Sequence, residues 1–132
     1  MAAELKPATV LDVGQCSADH AMIKTFIERH FHARVEAVRS VPEALDAIRR
    51  GTYDLVLVNR ICDDGSEGIE LIRSAKKDEL STPIMLVSNY PDAQSAAVAA
   101  GAVQGFGKAE LHQHQTLEHL AKFLPARPDS GL

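Results

Sequence analysis

The stretch YDLVLVNRICDDG, residues 53–65, brings polar side chains directly after an apolar run. The run ends at Asn59, whose amide can donate and accept hydrogen bonds but is a far weaker nucleophile than a carboxylate. Asp63 and Asp64 follow, and two carboxylates could hold a metal ion or accept a phosphoryl group. Asp-Asp-Gly is also a strong turn signal. We interpret these residues mainly as a turn, and keep Asp63 and Asp64 as a candidate displaced acidic site.

Two further charged residues raise the question of their partners. Asp12 lies inside an apolar stretch, where an unpaired carboxylate is costly to bury. Either Asp12 pairs, with Lys108 as the nearest candidate, or it lies closer to the end of its strand than the pattern indicates. Lys108 could also pair with Asp63 or Asp64, bind loop carbonyl groups, or remain solvated.

Composition limits the function classes. The chain has 132 residues, 45% of them hydrophobic and 24% charged, as is typical of one globular domain. A net charge of −4 without a basic run argues against direct nucleic-acid binding. No apolar run is long enough for a membrane span, and no signal peptide is recognisable. Cys16 and Cys62 are interpreted as unrelated thiols of a cytoplasmic protein, and neither a cofactor nor a metal site is predicted.

Apolar strands and amphipathic helices alternate along the chain. The second helix has the clearest boundaries, with Ser40 and Glu43 as a capping box, Pro42 in the first turn and Gly51 after the end. The alternation predicts an α/β fold with a doubly wound parallel sheet of five strands, and function at the carboxyl ends of those strands. The predicted strands are 8–13, 33–38, 54–59, 82–89 and 102–106, and the predicted helices are 17–31, 40–51, 67–80, 91–101 and 109–124.

Helix ends and buried faces follow from the same pattern. Ser17 is the expected cap of the first helix. Ala18, Met22, Phe26 and Ile27 recur at helical spacing and are its expected apolar stripe. Residues 1–124 are expected to form the domain, and residues 125–132 a flexible tail or the start of a linker.

With these elements in place, the chain resembles the receiver domain of two-component response regulators over residues 8–124. The resemblance lies in the order and spacing of VPEALDAIRRG, DLVLVN, PIMLVS and AAGAVQGFGK. It implies a flavodoxin-like (βα)5 fold with strand order 2-1-3-4-5. It also implies a phosphorylation site in which two acidic residues after the first strand and an aspartate ending the third bind Mg²⁺. That aspartate is the phosphoacceptor, while a hydroxyl residue and a lysine contact the phosphoryl oxygens.

Carried over position by position, the resemblance implies that most of this chemistry is missing. The acidic pair falls on Gly14 and Gln15, and the phosphoacceptor on Asn59. The hydroxyl and lysine positions, Ser88 and Lys108, are retained. The position of an aromatic residue that changes rotamer on phosphorylation falls on Gly105. We therefore interpret the chain as a pseudo-receiver that is not an enzyme, with Asn59, Gly14 and Gln15 as vestigial positions and no bound metal.

Three functions from different classes are compatible with this pattern. The first is phosphorylation-independent contact with a protein partner or a second copy, through the face of the fourth helix, fifth strand and fifth helix. The second is a phosphorylatable receiver whose acceptor is displaced into the 61–66 loop or is Ser88. The third is a small α/β enzyme or a nucleotide binder, which the single glycine of VGQCSAD disfavours because phosphate loops need several.

Overall fold

The computed structural model describes residues 6–128. Its elements alternate from the first strand to the last helix, as the sequence predicts. They are β1 (Ala8–Val13), α1 (Ser17–His30), β2 (Ala33–Val38), α2 (Val41–Arg50), β3 (Leu55–Asn59), α3 (Gly68–Lys77), β4 (Ile84–Val87), α4 (Pro91–Ala100), β5 (Val103–Phe106), a 3₁₀ turn (Lys108–Glu110) and α5 (His114–Ala121).

The five strands form one parallel sheet in the order β2-β1-β3-β4-β5. This confirms the predicted flavodoxin-like architecture. Alternate side chains of each central strand enter one of two apolar cores. One core lies under α1 and α5 and contains Val10 and Leu57, and the other lies under α2, α3 and α4 and contains Leu11 and Val58. Both faces of the central strands are covered, which explains their continuous apolar sequence.

The start of α2 shows how local sequence sets an element. The Ser40 hydroxyl accepts the Glu43 backbone N–H at 3.2 Å. The Glu43 carboxylate accepts the backbone N–H of Arg39 at 2.9 Å, one residue before the cap, instead of that of Ser40. At α1 the predicted cap is wrong by one residue. Cys16 is the N-cap, and its Sγ accepts the Asp19 N–H at 3.5 Å.

Two helices differ from the sequence expectation in what they bury or where they begin. In α1, Met22 is 46% exposed and Ile23 takes the expected place in the core. The last helix begins at His114 instead of residue 109. Residues 108–110 instead form the 3₁₀ turn. The Glu110 side chain accepts the backbone N–H of Gly107 at 3.0 Å and so caps the start of this turn.

Residues 125–128 pack against the connection between α1 and β2. His32 donates its backbone N–H to the carbonyl oxygen of Pro125 at 2.9 Å, and Ala126 forms an isolated bridge with Phe31. The Arg127 guanidinium donates to the carbonyl oxygen of Glu28 at 2.8 Å. The remainder of the predicted tail, residues 129–132, lies outside the described residues. None of the described helices has the length and apolarity that crossing a membrane would require.

Candidate functional site at the carboxyl edge of the sheet

A cleft of about 320 Å³ opens where β3, β4 and β5 end. We call it the carboxyl-edge pocket. It collects three residues that the sequence analysis singled out, Asn59, Ser88 and Lys108, together with residues of the loops that follow β3 and β4. The side chains that define it are Asn59, Arg60, Ile61, Ser88, Tyr90 and Lys108.

Asn59 is the last residue of β3 and pairs with Val87 of β4. Its Nδ2 donates a hydrogen bond to the carbonyl oxygen of Gly14 at 3.2 Å. The amide therefore joins the end of β3 to the loop that leaves β1.

Gly14 and Gln15 form that loop between β1 and α1. Gly14 has a φ of +79°, a backbone conformation that favours glycine. A Cβ at this position would lie 2.7 Å from the backbone Cα of Cys62, so the present backbone has no space for any side chain there. Gln15 is buried, and neither of its side-chain polar atoms has a hydrogen-bond partner among the described residues.

Ser88 follows β4 and is buried. Its backbone N–H donates to the carbonyl oxygen of Phe106 at 3.0 Å, which fixes the residue against the end of β5. Its hydroxyl accepts the backbone N–H of Tyr90 at 3.1 Å. The Tyr90 ring in turn lies beneath the Arg60 guanidinium, 4.9 Å from its carbon to the ring centroid, in a cation–π contact at the pocket mouth.

Lys108 is bound by a residue that the sequence analysis did not consider. Its Nζ donates to the Asp19 carboxylate at 2.7 Å, so the expected pairing with Asp63, Asp64 or Asp12 is wrong. The two side chains are 26% and 32% exposed. The hydrogen bond from Lys108 is the main cause that lowers the pKa of Asp19. The first turn of α1 thus supplies the counter-charge for the pocket lysine.

Asp12 also finds its partner on α1. Its Oδ2 lies 2.7 Å from Nδ1 of His20, and its side chain is fully buried. Asp12 is the penultimate residue of β1, so it lies next to the carboxyl end of the strand, and it is nevertheless buried. Burial raises its pKa to about 6, against the hydrogen bond and charge of His20, which lower it. The Gln15 amide also lies close enough to lower the pKa of Asp12, but no hydrogen bond of ordinary geometry reaches its second oxygen, Oδ1, from the described residues.

The acidic loop, residues 61–66, is a turn and does not contribute Asp63 or Asp64 to the pocket lining. Asp63 accepts a hydrogen bond from the Arg39 guanidinium at 2.9 Å. Asp64 accepts the backbone N–H of Ser66 at 3.0 Å and its hydroxyl at 2.6 Å, and these bonds lower the pKa of Asp64. Each carboxylate therefore already accepts hydrogen bonds, Asp63 from Arg39 and Asp64 from Ser66 of the same loop.

Gly105 lies in a bulge of β5, where Gln104 and Gly105 lie opposite the single residue Leu86 of β4. A Cβ on Gly105 would meet the carbonyl oxygen of Leu86 at 2.1 Å. The Gln94 side chain from α4 occupies the same region, and its Nε2 donates to the carbonyl oxygens of Leu86, Ser88 and Phe106 at 2.9, 3.0 and 3.3 Å. No aromatic side chain fits at position 105 unless the strands separate.

Comparison with known proteins gives a clear result for structure only. No family model and no curated protein matches the sequence. A putative response regulator from Chloroflexus aurantiacus superposes with a TM-score of 0.76, at 21% identity over 89% of this chain and 98% of that one. The receiver domain of a putative LuxO repressor from Vibrio parahaemolyticus gives a TM-score of 0.74, at 17% identity over 88% and 89% of the two chains.

This chain has the receiver-domain fold. A third neighbour extends the same result to a eukaryotic complex, the co-crystal structure of Saccharomyces cerevisiae Ypd1 with the receiver domain of Ssk1. The match has a TM-score of 0.71 at 16% identity and covers 91% of each chain. At these identities the likeness concerns the fold, and the correspondence of individual site residues stays a prediction.

Within this receiver fold, the structure brings Asn59, Gly14, Ser88 and Lys108 to one edge of the sheet, and leaves the acidic loop beside them. No group of three or more histidine, cysteine, aspartate or glutamate side chains among residues 6–128 is arranged to hold a metal ion. Cys16 and Cys62 are both free, the first exposed and the second buried.

The sequence analysis missed two polar residues of the site, Asp19 and His20. Both lie in the first turns of α1, directly after the loop that leaves β1. The signal that points to them is their position, because the first turn of a helix that follows a parallel strand lies over the carboxyl edge of the sheet.

Proposed function

We propose that this chain is an atypical receiver domain that acts by contact with a protein partner or a second copy, independently of phosphorylation and without enzymatic activity. The observation that carries the proposal is the Asn59 amide, which ends β3 and is bonded to the Gly14 carbonyl oxygen at 3.2 Å. A carboxamide at this place neither attacks a phosphoryl donor nor contributes charge to a cation.

Two neighbouring features support the same proposal. The backbone at Gly14 excludes a side chain, so no carboxylate can join Asn59 from that position. The Lys108 ammonium, which would contact phosphoryl oxygens in the receiver site, is bound to Asp19. A displaced acceptor in the acidic loop has no comparable support, because Asp63 and Asp64 bind Arg39 and Ser66.

The surface proposed for contact is the face of α4, β5 and α5, which we call the α4–β5–α5 face. Val98 of α4 is 43% exposed there and lies among small residues that allow a partner to approach closely. The co-crystal of Ypd1 with the Ssk1 receiver domain is an example of this fold in a protein complex. We extend to this chain only the use of the fold for protein contact.

Phosphorylation independence is tested by incubating the protein with acetyl phosphate and Mg²⁺ and measuring the intact mass. We expect no phosphoryl adduct on the wild-type protein, and none on Asn59→Asp, because that substitution restores one carboxylate without the metal-binding pair. A stable adduct of one phosphoryl group on the wild-type protein would overturn the proposal. An adduct on Asn59→Asp alone would instead contradict our assignment of the acidic pair to Gly14 and Gln15.

The contact surface is tested with two matched substitutions of exposed apolar residues, Val98→Glu on α4 and Met22→Glu on α1. Sedimentation velocity reports self-association, and affinity capture followed by quantitative mass spectrometry reports partners. We expect Val98→Glu to lose the association or the partner, Met22→Glu to keep it, and acetyl phosphate to change neither. Equal behaviour of the two variants would exclude the α4–β5–α5 face.

A further inference from the structure

Three acidic or basic side chains and one histidine form one cluster between the sheet and the first turns of α1. Asp12 binds His20 and Lys108 binds Asp19, each at 2.7 Å, and Asp19 and His20 are consecutive residues. The two pairs therefore share one piece of backbone. Lys108 also lowers the pKa of Asp12 through its charge, so the two pairs interact directly as well.

The surroundings of Asp12 make its charge state consequential. Its side chain is fully buried, and the nearby Gln15 amide lowers the pKa of Asp12, although no hydrogen bond of ordinary geometry joins Gln15 to Oδ1. The residues opposite Asp12 in the sheet, Ala37 of β2 and Leu57 of β3, are uncharged. Solvent and salt screen a charge in this environment only weakly, so the loss of that charge changes the electrostatic energy of the neighbouring charges strongly.

The titratable groups that face Asp12 come from three elements. His20 and Asp19 lie on α1, and Lys108 follows β5. The Cys62 thiol lies in the loop after β3, and burial together with the charges of Asp64 and Asp12 raises its pKa. Of these groups, the two anions beside Lys108 are Asp12 and Asp19.

We propose that Asp12, held by His20, is a proton-responsive group, and that proton uptake by Asp12 weakens the attraction on Lys108 and directs that ammonium toward the carboxyl-edge pocket. The carboxylate takes one proton from solvent, and no other bond forms or breaks. One of the two negative charges that attract Lys108 is then removed, so Asp19 alone retains it. The pocket becomes more electropositive in the acidic form.

The direction in which Lys108 shifts on protonation of Asp12 follows from thermodynamic linkage. Since the Lys108 charge favours the ionised form of Asp12, protonation of Asp12 must disfavour the position of Lys108 beside it by the same free energy. The raised pKa of Asp12, about 6, places the change between the acidic and neutral ranges. The inference does not rest on the proposed function, because a proton-responsive pocket is compatible with any partner.

The test is an NMR titration of the whole chain. The side-chain carboxyl carbon of Asp12 and the side-chain nitrogen of Lys108 are followed between about pH 5 and pH 8. We expect both signals to change with one midpoint near 6. In Asp12→Asn, which is neutral at every pH, the Lys108 signal should show no such midpoint and should match, at neutral pH, that of the acidic wild-type protein.

Two further variants complete the test. Lys108→Met should raise the Asp12 midpoint, and it keeps the test decisive if Asp12→Asn does not fold. His114→Asn is the matched control, because His114 and Glu118 form an exposed histidine–carboxylate pair at 3.2 Å on α5, and it should leave the midpoint unchanged. The inference would be overturned if the Lys108 signal did not change over the pH range in which Asp12 titrates. It would also be overturned if the Asp12 midpoint were the same in Lys108→Met as in the wild-type protein. Neither measurement involves a phosphoryl donor, so the result is independent of the acetyl phosphate assay.

Discussion

Two pairs of aspartates flank the carboxyl edge of the sheet, and they differ in what surrounds them. Asp12 and Asp19 are buried or half-buried and bind His20 and Lys108. Asp63 and Asp64 lie in an exposed loop and bind Arg39 and Ser66. In the linear sequence the second pair looks like the acidic site. In the folded chain the first pair controls the electrostatics beside the pocket.

The two pairs differ most at Asp12, whose side chain is fully buried, whereas the side chains of Asp19 and Asp63 are 32% and 41% exposed. Exposed ion pairs contribute little to stability because water and salt screen them. A buried carboxylate must be compensated by its neighbours, and it therefore depends on each of them. Predictions that separate the two regions test this conclusion.

The glycines of the two regions provide the largest expected contrast. Gly14 and Gly65 both have positive φ, +79° and +92°. A Cβ added at Gly65 would point into open space, whereas one added at Gly14 would meet the backbone of Cys62. We expect Gly65→Ala to lower the free energy of unfolding by about 1 kcal/mol from backbone strain. Gly14→Ala should lower it by about 3–5 kcal/mol, since overpacking adds to the strain.

Urea denaturation of the two glycine variants measures this difference. Equal losses for Gly14→Ala and Gly65→Ala would mean that the loop after β1 can move away from Cys62. In that case an acidic residue could be accommodated at position 14, and the argument against a metal site would weaken.

The pH dependence of stability is the second contrast. The pKa of Asp12 is raised to about 6 in the folded chain, from 3.8 as the reference for the unfolded chain. Between these values the folded state keeps a proton that the unfolded state releases. The contribution of Asp12 to the free energy of unfolding is therefore largest below about pH 4 and falls as the pH rises to about 6. Above that pH it is constant, and the total change is on the order of 3 kcal/mol.

Thermal or urea unfolding across this pH range, compared between the wild-type protein and Asp12→Asn, measures the Asp12 contribution. We expect the wild-type curve to decline relative to that of Asp12→Asn from about pH 4 to about pH 6. Parallel curves would show that Asp12 does not titrate in this range. Asp64, whose pKa is lowered, has the opposite sign and should contribute nothing to that decline.

The smallest contrast compares the two ion pairs themselves. Asp19→Asn removes the half-buried partner of Lys108 and should lower the free energy of unfolding by about 1 kcal/mol at neutral pH. Asp63→Asn removes the partner of an Arg39 side chain that is largely exposed, and we expect a change below about 0.5 kcal/mol. A larger loss for Asp63→Asn would reverse the ranking of the two regions.

The fold was predictable because its signals are local. The apolar runs of β3 and β4 indicate strands covered on both faces, and Ser40, Glu43 and Gly51 bound α2 within a single turn at each end. Such features depend on neighbours in sequence. The strand order then follows from the resemblance to a known architecture, which the structure confirms.

The site was only partly predictable because its contacts are distant in sequence. The edge of the sheet collects Asn59, Ser88 and Lys108 in any parallel arrangement of this kind. The partner of Lys108 lies 89 residues away, on α1, and depends on the rotation of that helix. Met22 shows the same difficulty, because the helical spacing fits both Met22 and Ile23 and only packing selects Ile23 for the core.

The hydrogen bonds of Gln94 restrict how any change in the pocket can reach the outer surface of α4. The two N–H groups of its amide are shared among the carbonyl oxygens of Leu86, Ser88 and Phe106, so a shift of α4 along the sheet would break these bonds together. At about 1 kcal/mol for each of the two N–H groups, a displaced α4 would be populated at about 3% in the resting protein. A partner that recognises such a displaced helix must supply that free energy from its own contacts, whereas a partner that fits the resting surface binds without this penalty.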